Sequence, residues 1–195
     1  MLILPGSNAL PAFRSQRLLA QLQAIDSNVV EVTGRFDHFV DVSTPLNQDD
    51  VGRLNALLTY GDPFISTSSE GGEEFIVIPR FGTISPWASK ATDIARNCGM
   101  AHIKRIERGI AYQVKLKSGL LGGAKKLSDD SVRAIADVLH DRMTETVLRS
   151  AEQAADLFRE LDAKPLAFID LLAGGKGALE QANGRARPAA LARPA

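Results

Sequence analysis

The chain has 195 residues, and its shares of hydrophobic (45%) and charged (24%) residues are typical of a folded globular protein. Its 23 basic and 23 acidic side chains cancel at pH 7, so no field of one sign would attract nucleic acid or an anionic membrane. The single cysteine excludes an internal disulfide and a multi-cysteine metal site. Residues 1–13 are too short to cross a bilayer and lack the basic start of a secretory signal. We therefore expect a soluble, cytoplasmic protein with no nucleic-acid or membrane partner.

The first part of the chain predicts two strands, each followed by a helix. Residues 1–5 form a short apolar strand, and Ser7 or Asn8 caps the helix that follows. Residues 29–42 alternate between apolar and polar side chains, which is typical of a half-buried strand. The second helix begins at the Asn47 cap and carries two aspartates in its first turn, where the helix dipole favours negative charge.

The next part of the chain repeats this scheme. An apolar strand over residues 74–79 precedes a helix that begins with a Ser85 cap. The predicted apolar face of this helix is Trp87, Ala91, Ile94 and Cys98. A long alternating strand over residues 103–117 leads to a helix with a Ser128 cap. The predicted apolar face of that helix is Val132, Ile135, Leu139 and Met143.

The pattern therefore contains β-α-β-α twice. Both long strands contain an internal glycine, Gly34 and Gly109, which predicts a bulge or bend in each. Strands with one apolar face indicate a sheet that is covered by helices on one side. We predict an α+β fold in which two tandem β-α-β-α units form a largely antiparallel sheet covered by helices, followed by a linker and a disordered tail. The alternative is chance alternation in an unduplicated α+β chain.

The composition changes after residue 148, which sets the predicted domain boundaries. Residues 1–148 are predicted to form the main domain and residues 149–183 the start of a linker. Residues 184–195 are rich in Ala, Arg and Pro and are predicted to be a disordered tail. Within the linker, residues 150–153 match a capping box that opens a short helix. We expect the apolar run 166–172 to stay exposed, because the second face of the sheet carries mainly charged side chains.

The usual catalytic and metal-binding patterns are not found in this sequence. His38, His102 and His140 have no metal-binding spacing, and His38 is predicted to be a hydrogen-bonded core histidine. Cys98 continues an apolar stripe and is predicted to be a buried structural thiol. Residues 174–177 are rich in glycine but lack the phosphate-loop pattern. We predict no catalytic residue and no metal site.

Residues 80–90 carry more polar groups than a turn requires. They combine a strand end, a glycine, hydroxyl side chains and a helix N-terminus, and Arg80 and Lys90 flank them. This arrangement favours an anion such as a phosphate or the carboxylate of a partner. The alternative is an ordinary strand–turn–helix with a serine cap. A second polar stretch, residues 140–145, follows the last helix, and a solvated helix end is its alternative explanation.

Three motifs carry a resemblance to a known family. Residues 80–95 read RFGTISPWASKATDIA, residues 105–109 read RIERG and residues 139–145 read LHDRMTE. With LLTYG at 57–61 and IDLL at 169–172, they closely resemble the N-terminal region of the large, single-chain phosphoribosylformylglycinamidine synthase, also called formylglycinamide ribonucleotide amidotransferase. The resemblance runs from residue 1 to about residue 183. It departs from the family pattern at Phe81 and Ala88, where members usually have proline and serine.

The resemblance implies a domain similar to a fused pair of the small S subunits that assemble with the short form of this enzyme. The family enzyme converts formylglycinamide ribonucleotide, ATP and glutamine to formylglycinamidine ribonucleotide in purine biosynthesis. Its ATP and Mg²⁺ belong to the synthase domain, and a Cys–His–Glu triad belongs to the glutaminase domain. We therefore expect no cofactor in this chain, no ligase activity by the chain alone, and the synthase and glutaminase domains as partners.

The resemblance also supplies candidate contact residues. We expect contacts with other domains, or with an anion, from Arg80, Thr83, Ser85, Trp87, Lys90, Asp93, Arg108, His140, Asp141, Arg142 and Glu145. Two functions stay open: an interdomain-docking scaffold of the synthase, or a stand-alone, non-catalytic assembly module that acts in trans. Resemblance stops at Asn183, which we expect to reflect a frame change or a truncated gene model. A deliberately shortened chain or a genuine short paralogue is the alternative.

Overall fold

A computed structural model describes residues 1–65, 72–117, 125–159 and 168–186, with only the backbone described for 184–186. The chain divides into two compact units, Met1–Glu160 and Leu161–Ala195. The strands of the first unit are β1 (Leu2–Asn8), β2 (Val29–Val42), β3 (Gly72–Pro79), β4 (Ile103–Leu116) and β5 (Glu145–Leu148). Its helices are α1 (Ala12–Ile25), α2 (Gln48–Leu58), α3 (Pro86–Asn97), α4 (Asp129–Leu139) and a 3₁₀ helix (Ala151–Phe158). The second unit contains α5 (Leu171–Ala186), in which Gly175 breaks the regular helix with φ 49° and ψ −142°.

The five strands form one antiparallel sheet in the order β1-β2-β4-β3-β5. The two long strands, β2 and β4, pair at the centre, with Phe36 opposite Ile110 and His38 opposite Arg108. Exchanging β1 with β3 and β2 with β4 gives the same order of these four strands, read from the opposite edge of the sheet. This symmetry fits two tandem β-α-β-α units that meet along β2 and β4, so the predicted fold class is confirmed. β5 was not predicted, because four residues are too few to show a period.

One face of the sheet packs against the four α-helices in two clusters. The cluster under α1 and α4 includes Leu22, Val32, Phe75, Val114, Ile135 and Leu139. The cluster under α2 and α3 includes Val40, Leu54, Leu58, Ala95, Ile103 and Ile106. Each fully buried Leu or Ile contributes about 1.5–3 kcal/mol relative to an exposed position. The serine and asparagine caps predicted for α2, α3 and α4 are present, each accepting a backbone N–H of the first turn.

The second face of the sheet is partly covered, which corrects the prediction of cover on one side only. The 3₁₀ helix packs Ala154 and Leu157 against Phe39, Ile76 and Ile78. β3 is buried on both faces, because residues 75–78 are all apolar, and so it needs a layer on each side. The alternation along β2 also fails to predict Phe39, which lies on the face that otherwise carries charged residues.

Gly34 and Gly109 are not at bulges, so the bulge alternative of that prediction is wrong. In the central pair, the register shifts lie between Val29 and Glu31 and between Asp41 and Val42. Gly109 is instead required by close packing. A Cβ at Gly109 would lie 2.7 Å from the carbonyl oxygen of Val77, and it would also contact Ile78 and Phe39.

The buried face of α3 is rotated from the predicted one. The residues that pack against the sheet are small: Ala88, Thr92 and Ala95. They let the helix lie so close to β4 that Thr92 Oγ1 accepts a hydrogen bond from Ile106 N at 3.0 Å. Ile94 is 41% exposed, and Cys98 is exposed just past the helix end. The prediction of a buried Cys98 thiol is therefore wrong.

Several predicted boundaries also shift. α1 begins at Ala12, after Pro11, because Ser7 and Asn8 belong to β1. α4 ends at Leu139, so Met143 lies beyond it and is 76% exposed. Ser150 makes no cap to the backbone, and Gln153 instead accepts from Arg149 N at 3.3 Å.

The structure describes only part of the chain end, so it tests only part of the predictions made for it. Phe168 and Leu172, from the apolar run 166–172, are exposed, whereas residues 160–167 lie outside the described residues. α5 continues to Ala186, and residues 187–195 of the predicted tail also lie outside the described part. The predicted domain boundaries stay predictions. Among the described residues, no helix has the length and apolarity needed to span a bilayer.

Gly109→Ala should destabilise the domain, because the added methyl group meets fixed backbone of β3. We expect a loss of about 2 kcal/mol in the free energy of unfolding, measured by urea denaturation of the full chain. Gly52→Ala is the matched control, since a Cβ at this α2 position contacts nothing within 4 Å. It should raise stability by about 0.5–1 kcal/mol. Equal effects of the two substitutions would contradict the packing explanation.

Candidate functional site

The three motifs meet at one end of the sheet. β3 ends at Pro79, which pairs with Glu145 at the start of β5. Arg80 N then donates to Thr144 O at 2.9 Å and joins the two turns that follow. Because β4 is antiparallel to β3, its first residues, including Arg105, reach the same end. The segments 80–85, 105–107 and 141–145 are therefore neighbours.

The turn between β3 and α3 is held by its own hydrogen bonds. Thr83 donates to Arg80 O from its N at 3.2 Å and from Oγ1 at 2.6 Å. Gly82 has a φ of 77°, in the left-handed region that glycine adopts most easily. Ser85 Oγ caps α3 by accepting from Ala88 N at 3.0 Å. The turn thus has one defined backbone conformation.

A buried carboxylate, Glu107, fixes this turn against β4. Ser85 Oγ donates to Oε2 at 2.8 Å, and Ser85 N donates to Oε1 at 3.2 Å. Arg105 donates to Oε1 from Nη2 at 2.7 Å and from Nε at 3.0 Å, and Nη2 also donates to Thr83 O at 2.7 Å. Glu107 is fully buried, so these charge-assisted bonds form in a low dielectric. The candidate set predicted from the sequence misses Glu107, although it lies inside the RIERG motif.

This network restricts the predicted anion site at the start of α3. The N–H groups of Ser85 and Ala88 are already engaged, and Glu107 supplies a carboxylate beside them. An external anion would have to use other donors. Arg80, Lys90 and Asp93 are exposed, and none of them is in an ion pair within the described part of the chain. Anion binding by this segment stays a prediction.

The second turn, after α4, is also self-contained. Asp141 Oδ1 accepts from Met143 N, and Glu145 Oε2 accepts from Asp141 N, both at 2.8 Å. His140 Nδ1 contacts Ala136 O in the last turn of the helix. Arg142 and Met143 point into solvent. The two acids therefore build the turn, and the exposed arginine and methionine remain for outside contacts.

Arg108 lies on the other face of β4, in an aromatic cluster. Its guanidinium carbon is 4.4 Å from the ring centre of Phe36, 4.8 Å from that of Trp87 and 5.9 Å from that of Tyr60. Such cation–π contacts are each worth about 0.5–2 kcal/mol. Phe36 and Tyr60 were not predicted as site residues, because Phe36 resembles a core position of β2 and Tyr60 follows α2.

The cluster continues to His38, which is fully buried as predicted. Tyr60 Oη accepts from Arg108 Nη1 at 3.2 Å and lies 2.8 Å from His38 Nε2. Burial, together with the positive charge of Arg108, lowers the pKa of His38 to about 4, although the Leu4 backbone and Asp37 act in the opposite direction. His38 is therefore neutral at pH 7, and one hydrogen bond joins its Nε2 to the tyrosine hydroxyl.

The other two histidines lie apart from this cluster. His102 Nε2 is 3.4 Å from Asp50 Oδ2 at the start of α2, and His140 follows α4. In the described ranges, no group of three or more His, Cys, Asp or Glu side chains is placed to hold a metal ion. Of the predicted site residues, Arg80, Thr83 and Ser85 belong to a turn that is hydrogen-bonded to the 141–145 turn through Arg80 N. Trp87 contacts Arg108 in the aromatic cluster.

A comparison with family models identifies the domain. The model described as "Formylglycinamide ribonucleotide amidotransferase N-terminal" matches residues 35–158, more than half of the chain. The chain belongs to this family. The match runs from β2 through the 3₁₀ helix, so it contains all three motifs and confirms the resemblance. The chain therefore carries the N-terminal domain of formylglycinamide ribonucleotide amidotransferase, the phosphoribosylformylglycinamidine synthase of purine biosynthesis.

Glu107→Gln should destabilise this amidotransferase domain by about 2 kcal/mol, because it leaves Arg105 without its buried partner. Urea denaturation of the full chain measures the loss. In a double-mutant cycle with Arg105→Gln, the two effects should be non-additive. Arg133→Gln breaks the exposed Arg133–Asp130 pair and serves as the control, with no measurable loss expected. Additive effects of the Glu107 and Arg105 substitutions would contradict the network.

His38 should make the stability of the domain depend on pH. Its pKa is about 4 in the folded state and about 6.5 when unfolded, so the unfolded state binds more protons between these values and stability falls as pH falls. Relative to His38→Gln, the wild-type chain should lose about 2 kcal/mol between pH 7 and pH 5. Gly109→Ala, which destabilises the domain without removing a titratable group, is the control and should keep the wild-type pH dependence. A His38→Gln variant with an unchanged pH dependence would refute the assignment.

Proposed function

We propose that this domain is an interdomain-docking scaffold of phosphoribosylformylglycinamidine synthase. In this role it contacts the synthase and glutaminase domains and holds them in register, so that ammonia released from glutamine reaches the synthase site. ATP, Mg²⁺ and the substrates are bound by those domains, and this chain supplies no cofactor ligand. Family membership supports the enzyme context, and one structural observation carries the docking role: the rigid pair of turns at the end of the sheet.

These turns present an exposed surface with an apolar centre. Phe81 is 37% exposed, Ile84 is 62% exposed and Met143 is 76% exposed. The exposed residues Arg80 and Arg142 flank them in the same two turns. An apolar centre with polar residues around it is the usual composition of a protein interface. We call these five residues the turn surface.

The turn surface is fixed before any partner binds. Ser85, Glu107 and Arg105 hold the first turn, and Asp141 and Glu145 hold the second. A partner therefore meets a surface whose backbone is already ordered, and binding costs less conformational entropy. This supports docking as the role of the conspicuous polar motifs.

The same hydrogen bonds argue against a catalytic role for the motif carboxylates. Three of the four, Glu107, Asp141 and Glu145, accept hydrogen bonds from the domain itself. A general base needs a free carboxylate within reach of a substrate proton. The fourth, Asp93, is exposed on the surface of α3. The geometry thus supports a binding function over a chemical one.

A two-component assay tests the docking role. The full 195-residue chain is added to a separate polypeptide that contains the synthase and glutaminase domains of the same enzyme without their N-terminal domain. We expect the chain to raise glutamine-dependent formation of formylglycinamidine ribonucleotide much more than ammonia-dependent formation, because only the first needs the two domains in register. The concentration dependence gives an apparent Kd. Equal stimulation by both nitrogen sources, or none, would refute the proposal.

A pair of double variants tests the turn surface in the same assay. Arg80→Ala with Arg142→Ala should raise the apparent Kd about tenfold, since it removes both exposed cations of the turn surface. Arg17→Ala with Arg133→Ala removes two exposed arginines from α1 and α4 and should leave it unchanged. Thermal unfolding of both variants checks that the fold is retained. The assembly module acting in trans, the alternative from the sequence, stays a prediction.

A further inference from the structure

The apolar stripe of α3 lines an open groove beside α2. The groove has a volume of about 180 Å³ and is bordered by Leu57 and Leu58 of α2 and by Trp87, Ala91 and Ile94 of α3. Lys90 is its charged lining residue. Because Ala88, Thr92 and Ala95 already pack α3 against the sheet, the fold does not use this stripe fully.

The size of the groove selects the kind of ligand. Small-molecule sites usually have volumes of about 300–1,000 Å³ and enclose most of the ligand. This groove is smaller and half open to solvent, so it does not enclose a nucleotide. It is large enough for one apolar side chain from a protein surface.

The charge around the groove selects the chemistry of the partner. Lys90 is exposed and in no ion pair with another described residue. Arg108 lies against Trp87 and donates to Tyr60, with no carboxylate of the described chain within 4 Å.

The two acids next to the cluster residues in β2 and β4 pair elsewhere. Asp37 precedes His38 in β2, and Glu107 precedes Arg108 in β4. Asp37 pairs with Arg35, and Glu107 pairs with Arg105. Successive side chains of a strand point to opposite faces, so these two pairs lie on the far side of the sheet. Neither of these two acids therefore offsets the positive charge of Lys90 or Arg108.

We propose that the groove between α2 and α3 binds an acidic, apolar segment of the synthase–glutaminase part of the enzyme. One apolar side chain of that segment inserts between Leu57 and Ala91, and an adjacent aspartate or glutamate pairs with Lys90. The inference rests on the proposed docking function. It adds a second contact to the turn surface, because Trp87 and Lys90 belong to the motif that begins at Arg80.

Two substitutions test the groove in the two-component assay. Lys90→Glu reverses the charge at the rim, and Ala91→Leu fills the groove with a side chain that helices accept readily. We expect each to raise the apparent Kd at least about tenfold. Raising the salt concentration should weaken wild-type association, and Lys90→Glu should reduce this salt dependence. Because Lys90 is exposed, its substitution tests the groove even where Ala91→Leu disturbs folding.

Matched controls separate this inference from the proposed function. Lys126→Glu makes the same charge change just before α4, and Ala56→Leu adds the same volume on an exposed position of α2. Both should associate like the wild-type chain. If the Lys90→Glu and Ala91→Leu chains associate as tightly as the wild-type chain, the groove proposal is overturned and the docking function stays intact. Failure of the wild-type chain itself to associate would overturn both.

Discussion

The central constraint is the alternation of side chains along β4, which sends neighbouring motif residues to opposite faces of the sheet. Glu107 turns to one face, where it holds Ser85 and Arg105. Arg108 turns to the other, where Phe36, Tyr60 and Trp87 surround it. β4 keeps this geometry because it pairs with β2 along almost its whole length. The RIERG motif therefore contacts α3 at two places: Glu107 binds Ser85 at the start of the helix, and Arg108 contacts Trp87 beside the groove.

The buried charge of Glu107 explains why the turn before α3 is rigid. Moving a carboxylate out of water costs several kcal/mol unless charged or polar donors surround it. Here Arg105 and Ser85 provide four donor contacts, so the carboxylate is stable only when both partners are in place. The turn, the helix start and β4 must therefore be ordered together. A surface held in this way suits recognition, because it does not have to order itself when a partner arrives.

The sequence predicts well what depends on local interactions. Three helix caps are confirmed, at Asn47, Ser85 and Ser128, and so are the two long alternating strands. Each of these features depends on residues that are close together in the sequence. The tandem arrangement is also confirmed, since it follows from the order of these elements. The site was predicted less completely. Glu107 and Tyr60 gain their roles from partners 22 or more positions away, and no local pattern reports such contacts.

The error at α3 is the most informative one. The apolar residues Trp87, Ala91 and Ile94 predict the buried face of a helix, and the prediction assumes that this stripe faces the sheet. In this domain the sheet receives the small residues instead, because Thr92 must reach the backbone of β4 to bond Ile106 N. The apolar stripe lies toward α2 and solvent, beside Lys90 and Arg108. Trp87 and Ala91 are half-buried and Ile94 is exposed, so α3 keeps an apolar surface that its own fold does not fully bury, and a partner would gain by covering it.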